Sequence, residues 1–329
     1  MINQSFFLIR PCAFDKREEI KEMIVENGLI IKATKIIWLT EDDICNIYGK
    51  EYPSSYYNAC LYFLRKGFAE TGVVEGENAI KLLLKICGRE CAPSKCSKNT
   101  IRRKFGKFDP VVFEDQEYYF NPIHRSRDIS EARKEVDYFW KFFLERSAMN
   151  IVYDSVRSVY QTESLDYIFD YHIRPTIQIA DDLCDESGAD KEIVKLALLL
   201  HDVTRIKGGN HHITGAENAR FMLRLLGYEE KIIGHVSDCI LTHRGSKNLS
   251  PKTVEAEIVA SADGIAHIKY IPLLFYHSYG KKELDFFDGL KSIKLKIDQS
   301  YAKVSDFAKK EINKEYEKSQ KMFSLFIQE

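Results

Sequence analysis

The sequence has no excess of either charge. Lys and Arg number 48 against 49 Asp and Glu, a formal net charge of −1 over 329 residues. That balance argues against a chain whose main task is to coat DNA, RNA or anionic lipid, so neither nucleic acid nor membrane is expected as a partner. Long apolar runs are missing too. Residues 194–200 form the longest, and Lys195 interrupts it, far short of the ~20 residues that span a bilayer. The opening MINQSFFLIR has no basic start ahead of a long apolar run. No secretory signal is expected from it, and the cytoplasm is the expected compartment. The eight cysteines include no C-x₂-C pair, and the trio Cys87, Cys91 and Cys96 lacks the spacing of a zinc ribbon. Spread over a chain large enough to build its own core, they read as reduced thiols. Internal repeats and low-complexity tracts are also absent.

What is present is ordinary globular material, 45% apolar and 29% charged. At roughly 150 residues per domain the length predicts two domains, placed at residues 1–147 and 148–329. The first part alternates strand and helix signals: apolar runs at 6–9, 29–39 and 70–74, helical patterns at 54–67, 78–87 and 128–147, and an irregular stretch at 91–120. Asp128 and Glu131 make a capping-box pattern. This order suggests helices on one face of a sheet. Beyond residue 151 the strand signals vanish and helices follow. Asp190 is placed to cap 191–200, Thr214 with Glu217 to form a second capping box, and Ser250 with Pro251 to start 253–268. The Lys-rich amphipathic segment from about Leu290 onward reads as a packing helix.

The chemistry of the second part concentrates in His172, His201, Asp202, His211, His212, His243 and Asp263. Asp263 sits in IVASADGIAHI, an almost wholly apolar helix, where an unpaired carboxylate would cost several kcal/mol. His201 and Asp202 follow a Leu-rich run that leads them inward. One divalent cation held by imidazoles and carboxylates answers all of these at once.

The order His172 … His201-Asp202 … His211 … His243 … Asp263, with LALLLHDVTRI, HHITGAENA and IVASADGIAHI around it, resembles the HD-domain metal-dependent phosphohydrolases over residues 167–268. The resemblance implies an all-α domain that binds one or two divalent ions (Mn, Fe, Ni, Co, Zn or Mg). It implies His172, His201, Asp202 and Asp263 as ligands, with His211, favoured over His212 by its spacing to Gly215-Ala216, and His243 as additional ones. Asp202 would orient or deprotonate the attacking water. Thr204 stands where the family usually has Gly. His235 reads as structural, and Arg205, Lys207 and Arg244 as candidate phosphate clamps.

Residues 5–145 resemble a nucleoside diphosphate kinase domain through FFLIRPCAF, VVEGENAIKLLLKICG, NTIRRKFG and NPIHRSRDISEARKEVDYFWKFF. The resemblance implies an α+β, ferredoxin-like fold with a four-stranded antiparallel sheet and a tendency to homo-oligomerise. It implies His124 as the residue that carries phosphate, with Asn121, Ser126 and Glu135 at the family's spacing and Glu135 on the other ring nitrogen. Arg102 matches a phosphate-binding Arg, Tyr48 an active-site Tyr, and Tyr56 replaces the Phe on which the base stacks. Arg10 replaces a Lys. A second phosphate-binding Arg falls on Leu84 and a phosphate-binding Thr on Glu90, where a carboxylate would repel a triphosphate; Arg89 is a possible compensation. The combined expectation is a phosphohydrolase acting on a small phosphorylated substrate, a nucleotide, beside a nucleotide-binding domain. The alternatives are phosphotransfer through His124, or a non-catalytic first domain that senses nucleotide.

Overall fold

The computed structural model describes residues 2–49, 53–244 and 249–327. Contacts divide the chain into Met1–Thr162 and Glu163–Glu329. The division falls later than the 147/148 boundary read from sequence. The reason is helix Ala148–Thr162, which packs on strand Ile30–Trp38 and whose Ser158 hydroxyl donates to the Arg65 carbonyl at 3.1 Å.

The first unit runs β1 (Ile2–Ile9), α1 (Arg17–Glu26), β2 (Ile30–Trp38), α2 (Glu41–Tyr48), α3 (Ser54–Leu64), β3 (Phe68–Glu77), α4 (Ala79–Cys87), α5 (Ile101–Phe105), β4 (Val111–Phe113), β5 (Gln116–Tyr118), β6 (Ile123–Arg125), α6 (Ile129–Tyr138) and α7 (Ala148–Thr162). The main sheet is antiparallel, in the order β2-β3-β1-β6. It is the ferredoxin-like α+β arrangement. Phe6, Phe7, Leu8 and Ile9 of the central strand β1 are all fully buried. Side chains alternate across a strand, so burial of all four requires cover on both faces, not the single face expected. Phe7 and Ile9 join Ile20, Ile24 and Leu83 of α1 and α4. Phe6 packs against Phe139 and Phe143, just past α6. In β6, His124 lies opposite Leu8.

Residues 91–120, expected to be irregular, hold α5 and the β4–β5 hairpin. Its turn residues Glu114 and Asp115 adopt positive φ (47° and 61°), which suits a hairpin and an Asp but is unusual for a Glu. Asp128 caps α6 as expected, accepting from Ser130 N and Glu131 N, but Glu131 reaches back to the N–H of Arg127 and not of Asp128. A full capping box forms instead at Thr40 and Asp43 of α2.

The second unit is helical: α8 (Asp166–Ile168), α9 (Arg174–Ser187), α10 (Lys191–Leu200), α11 (His211–Leu225), α12 (Glu230–Thr242), α13 (Val254–Lys269), α14 (Ile271–Phe275), α15 (Phe286–Ala302), α16 (Asp306–Lys309) and α17 (Asn313–Ser324). Among the described residues no single helix is long and apolar enough to cross a membrane. Asp190 caps α10. The other two caps lie elsewhere than expected. Helix α11 already begins at His211, which puts Thr214 inside it, its hydroxyl donating to Thr204 Oγ1 at 2.9 Å. Thr253, not Ser250, caps α13 by accepting from Ala256 N. Helix α13 is buried on nearly all sides, from Ala256 and Ile258 through Ile268, and packs against α9, α10, α12 and α15. An apolar surface all round marks such a helix as a core element.

Gly264 is what lets α15 approach. A Cβ on Gly264 would lie 2.5 Å from the Ser300 carbonyl and 3.0 Å from Val304. Gly264→Ala gains roughly 1 kcal/mol of helix propensity, but a backbone carbonyl can yield only if all of α15 shifts. Net destabilisation of about 1–3 kcal/mol is therefore expected, read as a lower urea midpoint at unchanged m-value. A midpoint at or above wild type would show that the two helices do not pack this closely.

Candidate functional site

Five segments of chain deliver the cluster in the second unit. His172 lies in the wide turn leading into α9, His201 and Asp202 directly follow α10, His211 opens α11, His243 directly follows α12, and Asp263 occupies the middle of α13. All are buried except His211, which is partly exposed. The structure brings these six together. Their donor atoms form overlapping triads, each within 4.8 Å: His172, His201 and Asp202; His201, His243 and Asp263; Asp202, His211 and His243. His172 Nε2 is 3.1 Å from Asp263 Oδ1 and 3.8 Å from Asp202 Oδ2; His211 Nε2 is 3.4 Å from Asp202 Oδ1. His212 joins none of the triads. His235 stands apart, 3.2 Å from Glu255.

Backbone carbonyls aim two of the rings. His201 Nδ1 pairs with Leu198 O at 2.8 Å and His243 Nδ1 with Ile240 O at 2.5 Å. Donation from Nδ1 leaves the Nε2 lone pair facing the cluster, the usual way a ligating imidazole is oriented. Despite the short approaches, His172 Nε2, His201 Nε2, Asp202 Oδ1 and Asp263 Oδ1 are buried without a hydrogen bond of good geometry. Buried polar atoms without partners are costly. Four of them within one buried His/Asp cluster fit divalent cations with nitrogen and oxygen ligands.

Charges around the cluster are arranged to keep both carboxyls ionised. Burial pushes them up, but Arg205 on Asp202 and Lys303 on Asp263 overcome it and hold both well below the ordinary carboxylate range. Arg205 Nη1 donates to Asp202 Oδ2 at 2.8 Å. Lys303 Nζ donates to Asp263 Oδ2 and, at 3.2 Å, to His243 O. Burial pushes His211 down to about 4 and His243 well below its usual value, so both are neutral imidazoles at neutral pH, as ligation requires. A chamber of about 90 Å³ opens beside the cluster, lined in part by Arg205, Arg244 and Lys296. The Lys207 side chain lies outside the described residues.

Three contributors escaped the sequence reading. His267 completes a further triad with His172 and Asp263, its Nδ1 3.4 Å from Asp263 Oδ1. Its signal was available, since residues four apart share a helix face. Lys296 comes from α15 and Lys303 from its C-terminal cap, and nothing in a Lys-rich amphipathic stretch separates them from surface lysines.

In the first unit, His124 Nε2 lies 2.7 Å from Glu135 Oε1, and Ser126 Oγ donates to Glu135 Oε2 at 2.6 Å. The Tyr48 ring stands edge-on to His124, centroids 5.0 Å apart. Buried Arg10 donates to Tyr48 Oη at 2.9 Å, Tyr56 Oη at 3.1 Å and Tyr118 Oη at 3.4 Å. These residues, with Arg102 and Asn121, line a cavity of about 400 Å³. Glu135 stands behind it, on His124. Arg102 donates to Glu90 O at 2.8 Å. The Glu90 side chain is exposed and does not line the cavity, whereas Arg89, Arg125 and Arg127 do. The repulsion expected from Glu90 is thereby displaced, and the wall is strongly basic.

Residues 3–143 match the family model for nucleoside diphosphate kinase, and residues 169–267 match that for the HD domain. The chain joins one of each. The kinase part is similar to the nucleoside diphosphate kinase of Glaesserella parasuis, 28% identical over 142 residues (43% of this chain, 96% of that protein), and to that of Methanococcus maripaludis, 24% identical over 141 residues (42% and 98%). The solved nucleoside diphosphate kinase of Aquifex aeolicus aligns over 43% of this chain and 97% of its own at 23% identity, with a TM-score of 0.38. Helix α15 lies outside both matched regions.

If the HD-domain cluster holds a metal, the ion stabilises the helical unit by mass action. Adding Mn²⁺ to chelator-treated protein at a hundred times its Kd should stabilise it by about 2.7 kcal/mol, seen as a raised melting midpoint. His201→Gln should lose most of that rise. An unchanged wild-type midpoint, with no ion retained after dialysis, would remove the metal assignment.

Proposed function

We propose that the HD domain is a metal-dependent phosphohydrolase acting on a phosphate ester, a nucleotide, and that the kinase-like domain binds nucleotide. The observation that carries this reading is one buried cluster of overlapping His/Asp triads, in which His172 Nε2, His201 Nε2, Asp202 Oδ1 and Asp263 Oδ1 lack hydrogen bonds, beside a chamber walled by Arg205 and Arg244. A divalent ion held by His172, His201, Asp202 and Asp263, with His211 and His243 available to a second, would lower the pKa of a bound water towards neutrality and offset the charge of the attacked phosphate. The chain's own part is positioning. Asp202 is fixed through Oδ2 by Arg205, and as a carboxylate beside the ion it would orient the attacking water or take its proton. Arg244 and Arg205 suit the phosphate oxygens. The nucleotide preference rests on the attached kinase-like domain.

A second reading is favoured by a separate observation. The Glu135 contact on Nε2 of His124 leaves Nδ1 with the lone pair, as a phosphate-accepting imidazole needs. The domain would then pass phosphate through His124; if it does not, it serves as a nucleotide sensor for the hydrolase.

Phosphate release from a nucleotide panel with Mn²⁺, Ni²⁺ or Mg²⁺ tests the first reading. Asp202→Ala should slow it about a hundredfold or more, and equal rates in the two proteins would reject the hydrolase. Labelled ATP tests the second. A phosphoenzyme that disappears in His124→Ala supports transfer, whereas bound nucleotide that alters hydrolysis without any phosphoenzyme supports sensing.

A further inference from the structure

Helix α15 carries Lys296, Gln299 and Ser300, and Lys303 caps its C-terminal end; at i, i+3, i+4 and i+7 they share one face, and all four line the chamber beside the His/Asp cluster. Two of them are cations. Lys303, its side chain 5% exposed, is committed to Asp263 and the His243 carbonyl. Lys296 is half-buried, and among the described residues it makes no hydrogen bond or ion pair. It lines the same small space as Asp202 and His243, where an ammonium without a partner is free to meet an anion.

The charge count gives that space a preference. Arg205, Arg244, Lys296 and Lys303 line the chamber against two carboxylates, Asp202 and Asp263. The surplus is positive before any metal is counted. The space therefore favours a small group that carries more than one negative charge. A terminal phosphate is such a group; an internal phosphodiester carries one charge and is flanked by two substituents. Arg244, Gln299 and Lys303 also line an adjoining cleft of about 860 Å³, which can take the organic remainder of such a substrate.

We propose that α15, outside the HD-domain match, supplies the phosphate-receiving wall of the site, with Lys296 the residue that binds the dianionic terminal phosphate and so selects monoesters over diesters. The proposal rests on the hydrolase reading for its substrate, but the anion site itself can be measured without turnover.

The probe is inorganic phosphate, titrated calorimetrically into the full-length, Mn²⁺-loaded protein. Wild type should bind it, and Lys296→Met should bind it about tenfold more weakly at equal metal content. Lys296→Arg should restore most of the affinity. Lys294→Met is the control, because Lys294 pairs with Asp298 at 2.9 Å and does not line the chamber. Equal affinity in wild type and Lys296→Met, or no binding by wild type, overturns the proposal. Binding lost with Lys296 while no ester is hydrolysed overturns the hydrolase reading and leaves the anion site standing. Where turnover occurs, Lys296→Met should raise KM for p-nitrophenyl phosphate about tenfold and leave bis(p-nitrophenyl) phosphate unchanged; equal losses on both overturn the selection for monoesters.

Discussion

Two carboxylates in an apolar interior set the terms for the whole helical unit. Asp263 occupies the middle of a helix buried on nearly every side, and Asp202 follows another whose last five residues are fully buried leucines and alanine. Neither can remain charged there alone. The chain answers with cations from separate elements, Arg205 just after α10 and Lys303 just after α15, and with imidazoles aimed by backbone carbonyls. Each side chain satisfies part of its neighbour's need, and the remainder points inward as unpaired lone pairs. Stability and chemistry are thus opposed at this spot. Replacing the cluster with apolar residues would relieve burial costs, and the fold keeps them in a cluster that could hold a cation.

How much of this could be read in advance depends on how local the signal is. The His201-Asp202 pair and Asp263 stood out because polar residues in Leu- and Ala-rich runs contradict their surroundings, and that contradiction is visible in one dimension. The cap at Asp190 was legible for the same reason. The caps at Thr40 and Thr253, and the start of α11 at His211, were missed because several Ser, Thr and Asp residues compete at each boundary and tertiary packing chooses among them. The β4–β5 hairpin was missed because Glu114 and Asp115 adopt a turn conformation that Gly or Asn usually supplies. Strand β6 is three residues long and takes its identity from pairing with β1.

The first unit shows how a departure read in sequence can change meaning in space. Glu90 at a phosphate-binding position suggested repulsion, yet its side chain turns outward while its carbonyl holds Arg102. Arginines 89, 125 and 127 line the cavity instead. Arg10, buried and hydrogen-bonded to three tyrosine hydroxyls, has neutral partners only among the contacts described. Tyrosine hydroxyls orient a guanidinium without neutralising it, so its charge remains available to a ligand. The cavity therefore keeps a basic wall although individual residues differ from the family pattern.

Helix α15 shows where a domain boundary drawn by resemblance stops short of the chemistry. Its approach to α13 depends on the missing side chain of Gly264, one residue after Asp263. That adjacency couples the two functions of α13: the carboxylate that belongs to the cluster and the small residue that admits the neighbouring helix lie side by side. A larger residue at 264 would hold Lys303 away from Asp263 and leave a buried carboxylate without its nearest cation. The requirement for a close helix contact and the requirement for charge balance are met by the same two positions, so the extension is a wall of the site as well as a support for it.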